Sequence, residues 1–165
     1  MKKIIYSLFA VLALCCNFVS CSDDDNDAAA PVGNPASAEA AVGTYTGTWT
    51  VTLDDQTFTT PGYITVASSE TDFVASIDVK VDPVDFTINN KVNTQSVEGT
   101  TLANICYAGP TGTVFNFTNL SDGNGIGTNF SGSIIDGNAT MMFSLSKKIS
   151  RKNYTFNYRF VGKKN

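Results

Sequence analysis

Histidine is absent from all 165 residues, which removes the commonest general base, proton shuttle and zinc ligand together. Cysteine is nearly as uninformative. Cys15 and Cys16 lie in an apolar leader and Cys21 directly behind it, which leaves Cys106 as the remaining thiol of the body. No intramolecular disulfide framework is expected, and Cys106 has no imidazole to lower its pKa for catalysis. Charge is thin, at 16% of the chain. Asp54, Asp55, Glu70, Asp72, Asp82 and Asp85 fall at turn positions, where Asp is favoured by local backbone hydrogen bonds, and show no paired-carboxylate or calcium-loop spacing. The expectation is a protein without catalytic residues, cofactor or metal.

Basic residues are scarce until the end of the chain. Lys80 and Lys91 are the only ones between residues 41 and 146, whereas Lys147, Lys148, Arg151, Lys152, Arg159, Lys163 and Lys164 follow with no acid among them. This basic C-terminal hairpin reads as a solvated face, screened at physiological salt. Its functional reading is attraction to anionic lipid heads or a phosphorylated glycan. Nucleic acid is not an expected partner.

The first twenty residues read as an export signal. Lys2 and Lys3 give the charged start, Ile4 to Leu14 is apolar but too short to span a bilayer, and small residues follow. Phe18-Val19-Ser20-Cys21 has the order that lipoprotein processing needs: an apolar residue three before the cysteine, a small one just before it, and an acceptor thiol. Cys21 is the expected lipidation site. The acyl chains attach the mature protein to the membrane without spanning it. Residues 21–40 then form a tether, acidic at Ser22-Asp23-Asp24-Asp25-Asn26-Asp27 and stiffened by Pro31 and Pro35, with nothing to bury. The Ser-Asp-Asp-Asp run behind the cysteine resembles the export signal of surface-exposed lipoproteins of the Bacteroidetes. That resemblance implies an outer-membrane protein facing outward; the alternative is a periplasm-facing spacer.

Residues 41–165 are one domain, rich in Thr, Val, Phe, Tyr, Asn and Gly and poor in Leu, Glu and Ala, a composition of strands. The hydrophobic period is two. Tyr45, Gly47, Trp49, Val51 and Leu53 share one face against a run of threonines on the other. A strand from Thr57 to Ser68 is broken at Pro61-Gly62. A third carries Phe73, Ala75, Ile77, Val79 and Val81. A turn at Asp82-Pro83 precedes Val84, Phe86 and Ile88, and residues 89–98 form a polar strand or long loop. Further strands run from Thr100 to Tyr107, through Phe115 and Phe117, and through Phe130 to Ile134. Asp136-Gly137 is a two-residue hairpin signal leading into Ala139, Met141, Phe143 and Leu145. A last turn over Ser150 to Asn153 gives Tyr154, Phe156, Tyr158 and Phe160. The loop Gly123-Asn124-Gly125-Ile126-Gly127 precedes a strand rather than the helix a phosphate cradle needs.

Eight or nine short strands joined by short turns predict an all-β fold, a small antiparallel up-and-down β-barrel, with a two-sheet sandwich as the alternative. The leader, Val42-Gly43-Thr44-Tyr45-Thr46-Gly47-Thr48-Trp49-Thr50-Val51 and the closing Tyr-Thr-Phe-Asn-Tyr-Arg-Phe-Val-Gly strand resemble the calycin-like, lipocalin-like barrel lipoproteins of Bacteroidetes. That resemblance implies a barrel and a ligand cavity. Its lining would be drawn from Tyr45, Trp49, Phe73, Phe86, Phe115, Phe117, Phe130, Phe143, Phe156 and Tyr158, holding a small apolar ligand. The alternative is a filled barrel that contacts a partner or glycan with its outer surface. Gly47-Thr48-Trp49 also matches the G-x-W of lipocalins, whose tryptophan stacks on a late arginine. Arg159, however, alternates with Tyr158 and Phe160 and so points away from the face of Trp49, which makes Trp49 a plain core aromatic.

Overall fold

The computed structural model describes residues 41–69, 74–107, 114–119 and 126–165. The expected export signal, Cys21 and the expected tether lie outside them, as do Phe73 and the side chains of Cys106 and Phe115. Eight antiparallel strands form one closed ring: β1 (Gly43–Leu53), β2 (Gln56–Ser68), β3 (Val74–Ile88), β4 (Lys91–Tyr107), β5 (Val114–Asn119), β6 (Thr128–Ile135), β7 (Asn138–Ile149) and β8 (Lys152–Lys164). The order in the ring is the order in the chain, and β1 closes on β8 with Trp49 opposite Phe160. The fold is the expected up-and-down barrel, and a single closed sheet replaces the sandwich alternative.

Ring closure is staggered. From Gly47, the pairing through Gly62 and Val81 reaches Val97 on β4. The opposite route through Gly162, Ala139, Ile134 and Phe115 reaches Tyr107 on the same strand. Such a displacement requires the strands to tilt against the barrel axis, and strand number and stagger together set the width of the interior.

Alternation places one apolar set inside. Tyr45, Trp49, Val51, Leu53, Ile64, Val66, Ile77, Val79, Phe143, Phe156, Tyr158 and Phe160 all belong to one buried core. Outside, hydroxyls pair with one another across strands: Thr44 with Thr65 at 3.0 Å, Ser133 with Thr140 at 3.0 Å, and Ser146 with Thr155 at 3.0 Å. Opposite charges meet the same way where Lys80 on β3 faces Glu98 on β4. Each such pair contributes a fraction of a kcal/mol to about 1 kcal/mol, so together they fix register more than stability.

Two expectations are corrected, and one left between alternatives is decided. Pro61-Gly62 does not interrupt β2, which runs unbroken and pairs with β1 along that whole stretch. Asp82-Pro83 is not a turn. β3 continues through it with a bulge, because Val81 pairs with Val97 and the next partner, Gln95, belongs to Val84. The one extra residue shifts the strand's phase, so Ala75 to Val81 point inward on odd numbers and Val84, Phe86 and Ile88 on even ones. Pro83 has no N–H to donate and sits where the ladder is interrupted. Of the two alternatives for residues 89–98, the polar strand holds from Lys91 onward. Asn89 and Asn90, with φ of 52° and 60°, make a two-residue turn whose left-handed backbone matches strand twist, and Lys91 onward belongs to one long strand, β4.

Candidate functional site

The alternation that builds the barrel also gathers the aromatic residues. Tyr45, Trp49, Phe86, Phe117, Phe130, Phe143, Phe156 and Tyr158 are each 2% exposed or less. They pack on one another: Phe143 stacks on Tyr158 with centroids 4.7 Å apart, and Trp49 meets Phe143 edge-on at 5.5 Å and Phe160 at 5.0 Å. Phe86 joins Phe156 at 5.2 Å. These separations are those of favourable aromatic pairs. Arg159 is exposed between Thr50 and Met142, so Trp49 is the core aromatic the alternation called for.

Space for the rings comes from a row of glycines. Gly47 on β1 lies opposite Gly62 on β2 and Gly162 on β8. A Cβ at Gly62 would lie 2.5 Å from Trp49 Cδ1, and one at Gly162 would lie 2.3 Å from Phe160 Cζ. The row lets the wall curve and lets two large rings lie against backbone.

Polar atoms enter this interior without partners. Among the described residues, Trp49 Nε1, Tyr158 Oη and Gln95 Oε1 are buried with no hydrogen bond from protein. Gln95 is 2% exposed, and its Nε2 donates to Asn93 Oδ1 at 2.5 Å, which leaves the other amide atom open to the interior. The tryptophan offers a donor, the glutamine an acceptor and the tyrosine either. Leaving such a group unpaired costs about 1–3 kcal/mol. Tyr45 shows the contrast, because its hydroxyl donates to Ala41 O at 2.7 Å.

Burial raises the Tyr158 pKa from its ordinary 10 to about 12, and raises Tyr45 in the same direction. The neutral phenol is the folded form, while the unfolded chain ionises near pH 10. Stability is therefore fully present below pH 10 and falls as the pH rises towards 12. Thermal melts between pH 9 and pH 12 are expected to show this loss, and Tyr158→Phe is expected to shrink it. An equal loss in the variant would assign the effect elsewhere.

The hairpin formed by the far halves of β3 and β4 covers one end of this interior. Ladder pairing between β2 and β3 starts at Gly62 with Val81 and runs away from that end. In its place the Gln56 side chain acts as a substitute strand: its Nε2 donates to Thr87 O at 3.0 Å and its Oε1 accepts from Thr87 N at 2.9 Å. Phe58 lies on the inward side of β2, opposite Val51, yet is 40% exposed, and it meets Phe86 edge-on at 5.1 Å. Gln56, Phe58 and Gln95 escaped sequence reading. Asn93 and Gln95 break the apolar alternation of β4, which is why that stretch resembled a loop. Their signal was only their shared parity with Val97.

No three His, Cys, Asp or Glu side chains converge on a metal-sized site among the described residues. Comparison with protein-family models, with curated proteins and with solved structures finds no match to this chain.

Proposed function

We propose that this chain is an outer-membrane lipoprotein, acylated at Cys21 and displayed on the cell surface, whose barrel binds a small, mainly apolar molecule without transforming it. The observation that carries the ligand part is the trio of unpartnered polar atoms on Trp49, Tyr158 and Gln95 within an aromatic interior. A few polar groups set in apolar walls are the general composition of a small-molecule site. A bound molecule with one hydroxyl or amide would satisfy groups that otherwise lower stability. The anchor and the outward display rest on the leader and on the aspartates behind Cys21.

Trp49 is the only tryptophan, so its emission reports on the interior alone. Titrating cis-parinaric acid, a fluorescent fatty acid, into the full chain carrying Cys21→Ala to keep it free of acyl groups is expected to quench Trp49 saturably and raise the melting temperature. Absence of both effects would leave the second reading, a filled barrel acting through its outer surface. Ring-to-ring packing with exposures of 2% or less favours that reading.

A further inference from the structure

Among the described residues, few backbone pairs tie the β3–β4 hairpin to its neighbours beyond the bulge. On its β3 side, Asp82 to Ile88 share no ladder pairs with β2, and the Gln56 amide supplies the two hydrogen bonds recorded across that seam. On its β4 side, the pairs with β5 among the described residues run from Ala103 to Tyr107. The arm is internally sound, since its own ladder runs from Val84 with Gln95 to Ile88 with Lys91. It rests on the barrel end through the buried Val84, Phe86, Ile88 and Val97, with Phe86 set between Phe58 and Phe156. A rigid two-stranded arm, a bulge where it joins the barrel, one side-chain clasp and an apolar foot are the parts of a hinged cover. Hinges are residues that absorb backbone change at the ends of elements, and the bulge at Asp82-Pro83 is such a point.

We propose that the seam between β2 and β3 is the entrance to the interior, with the arm from Asp82 to Val97 as the moving element and Gln56 as its latch. This rests on the reading that a small apolar molecule binds inside. Phe58 is the first ring such a molecule meets, because it alone of the inward aromatic residues described is substantially open to solvent while touching the buried Phe86. Phe86 then leaves its place between Phe58 and Phe156 as the arm swings. Gln95 travels with the arm, so closure brings its open amide atom onto the bound molecule.

Gln56→Ala removes both latch bonds without touching the interior lining. Losing two such bonds is expected to raise the open population roughly thirtyfold. Hydrogen exchange of the full chain should then quicken for the amides of Val84 to Val92 and stay unchanged in the β7–β8 ladder. Stopped-flow mixing with cis-parinaric acid should show association and dissociation both faster by about thirtyfold, with affinity little altered. Gln56→Glu keeps the acceptor for Thr87 N and loses the donor, so it should fall between. Unchanged exchange in the arm would overturn the latch. Faster exchange with unchanged probe rates would overturn the entrance while leaving ligand binding intact. Failure of the unsubstituted barrel to bind the probe would overturn the binding reading and the entrance with it, and the exchange experiment would still decide the latch.

Discussion

Gly47→Val is expected to leave no folded barrel. A Cβ on Gly47 would lie 2.1 Å from Val161 O and 2.5 Å from Gly162 Cα. Both obstacles are backbone of the strand that closes the ring, so neither can swing aside as a side chain would. Relief requires pulling β1 away from β8, and that pairing is what brings Trp49 against Phe160. Overpacking a core costs about 1–3 kcal/mol when side chains can shift. Here the ladder itself must open, against a total stability on the order of 5–15 kcal/mol. Far-ultraviolet circular dichroism and Trp49 emission of the purified variant should show loss of strand signal and a shift to solvent-exposed tryptophan. Gly99→Ala is the control. Its Cβ would meet only Ile126 at 3.6 Å, an ordinary contact, and the melting temperature should stay within a few degrees of the original. A folded Gly47→Val protein would show that the β1–β8 seam is looser than this geometry.

Cys21→Ala is expected to release the protein from the membrane while leaving the barrel folded. Each buried methylene of an acyl chain holds with about 0.8 kcal/mol, and two chains make attachment stable where one does not. The unsubstituted protein should incorporate labelled palmitate and stay with membranes through a high-salt wash. The variant should incorporate none and appear in the soluble fraction. Retention of the variant would place the anchor elsewhere. Protease added to intact cells tests the display separately, because cleavage only after lysis would refute an outward-facing barrel and leave the acyl anchor standing.

The two substitutions act on opposite kinds of information. The proposed acylation of Cys21 rests on a handful of neighbours read in line, from Phe18 to the Asp-rich run. The strands containing Trp49, Phe143 and Tyr158 were legible for a similar reason: alternation over five or more residues needs only one buried face to explain it. Turns were legible where their chemistry was strong. Asp136-Gly137 adopts φ of 49° and 74° as a two-residue hairpin should. Asn89-Asn90 makes the same kind of turn but was masked by the polar residues after it.

The candidate site was legible only by half. Its aromatic members follow from parity, and every one described lies in the core. Its polar members do not, because a buried glutamine and an exposed one look alike in a strand until the opposite wall is known. The β3 phase change likewise produced the impression of a turn, since Asp82-Pro83 is ordinary turn chemistry and only the partner strand shows two pairs spaced unequally on its two sides.

What the sequence by itself determined was therefore local: strands of alternating polarity that suit an up-and-down all-β ring, preceded by the in-line pattern on which the proposed leader and acylation at Cys21 rest. Tertiary structure alone decided that Gly47, Gly62 and Gly162 align in one row, that Gln95, Trp49 and Tyr158 each bury a polar atom without a protein partner, and that the Gln56 side chain stands in for the missing ladder to Thr87. Alternation has a period of two and is set by each strand's own residues. Which residues face one another across the barrel is set by the stagger with which the ring closes, a property of all eight strands at once.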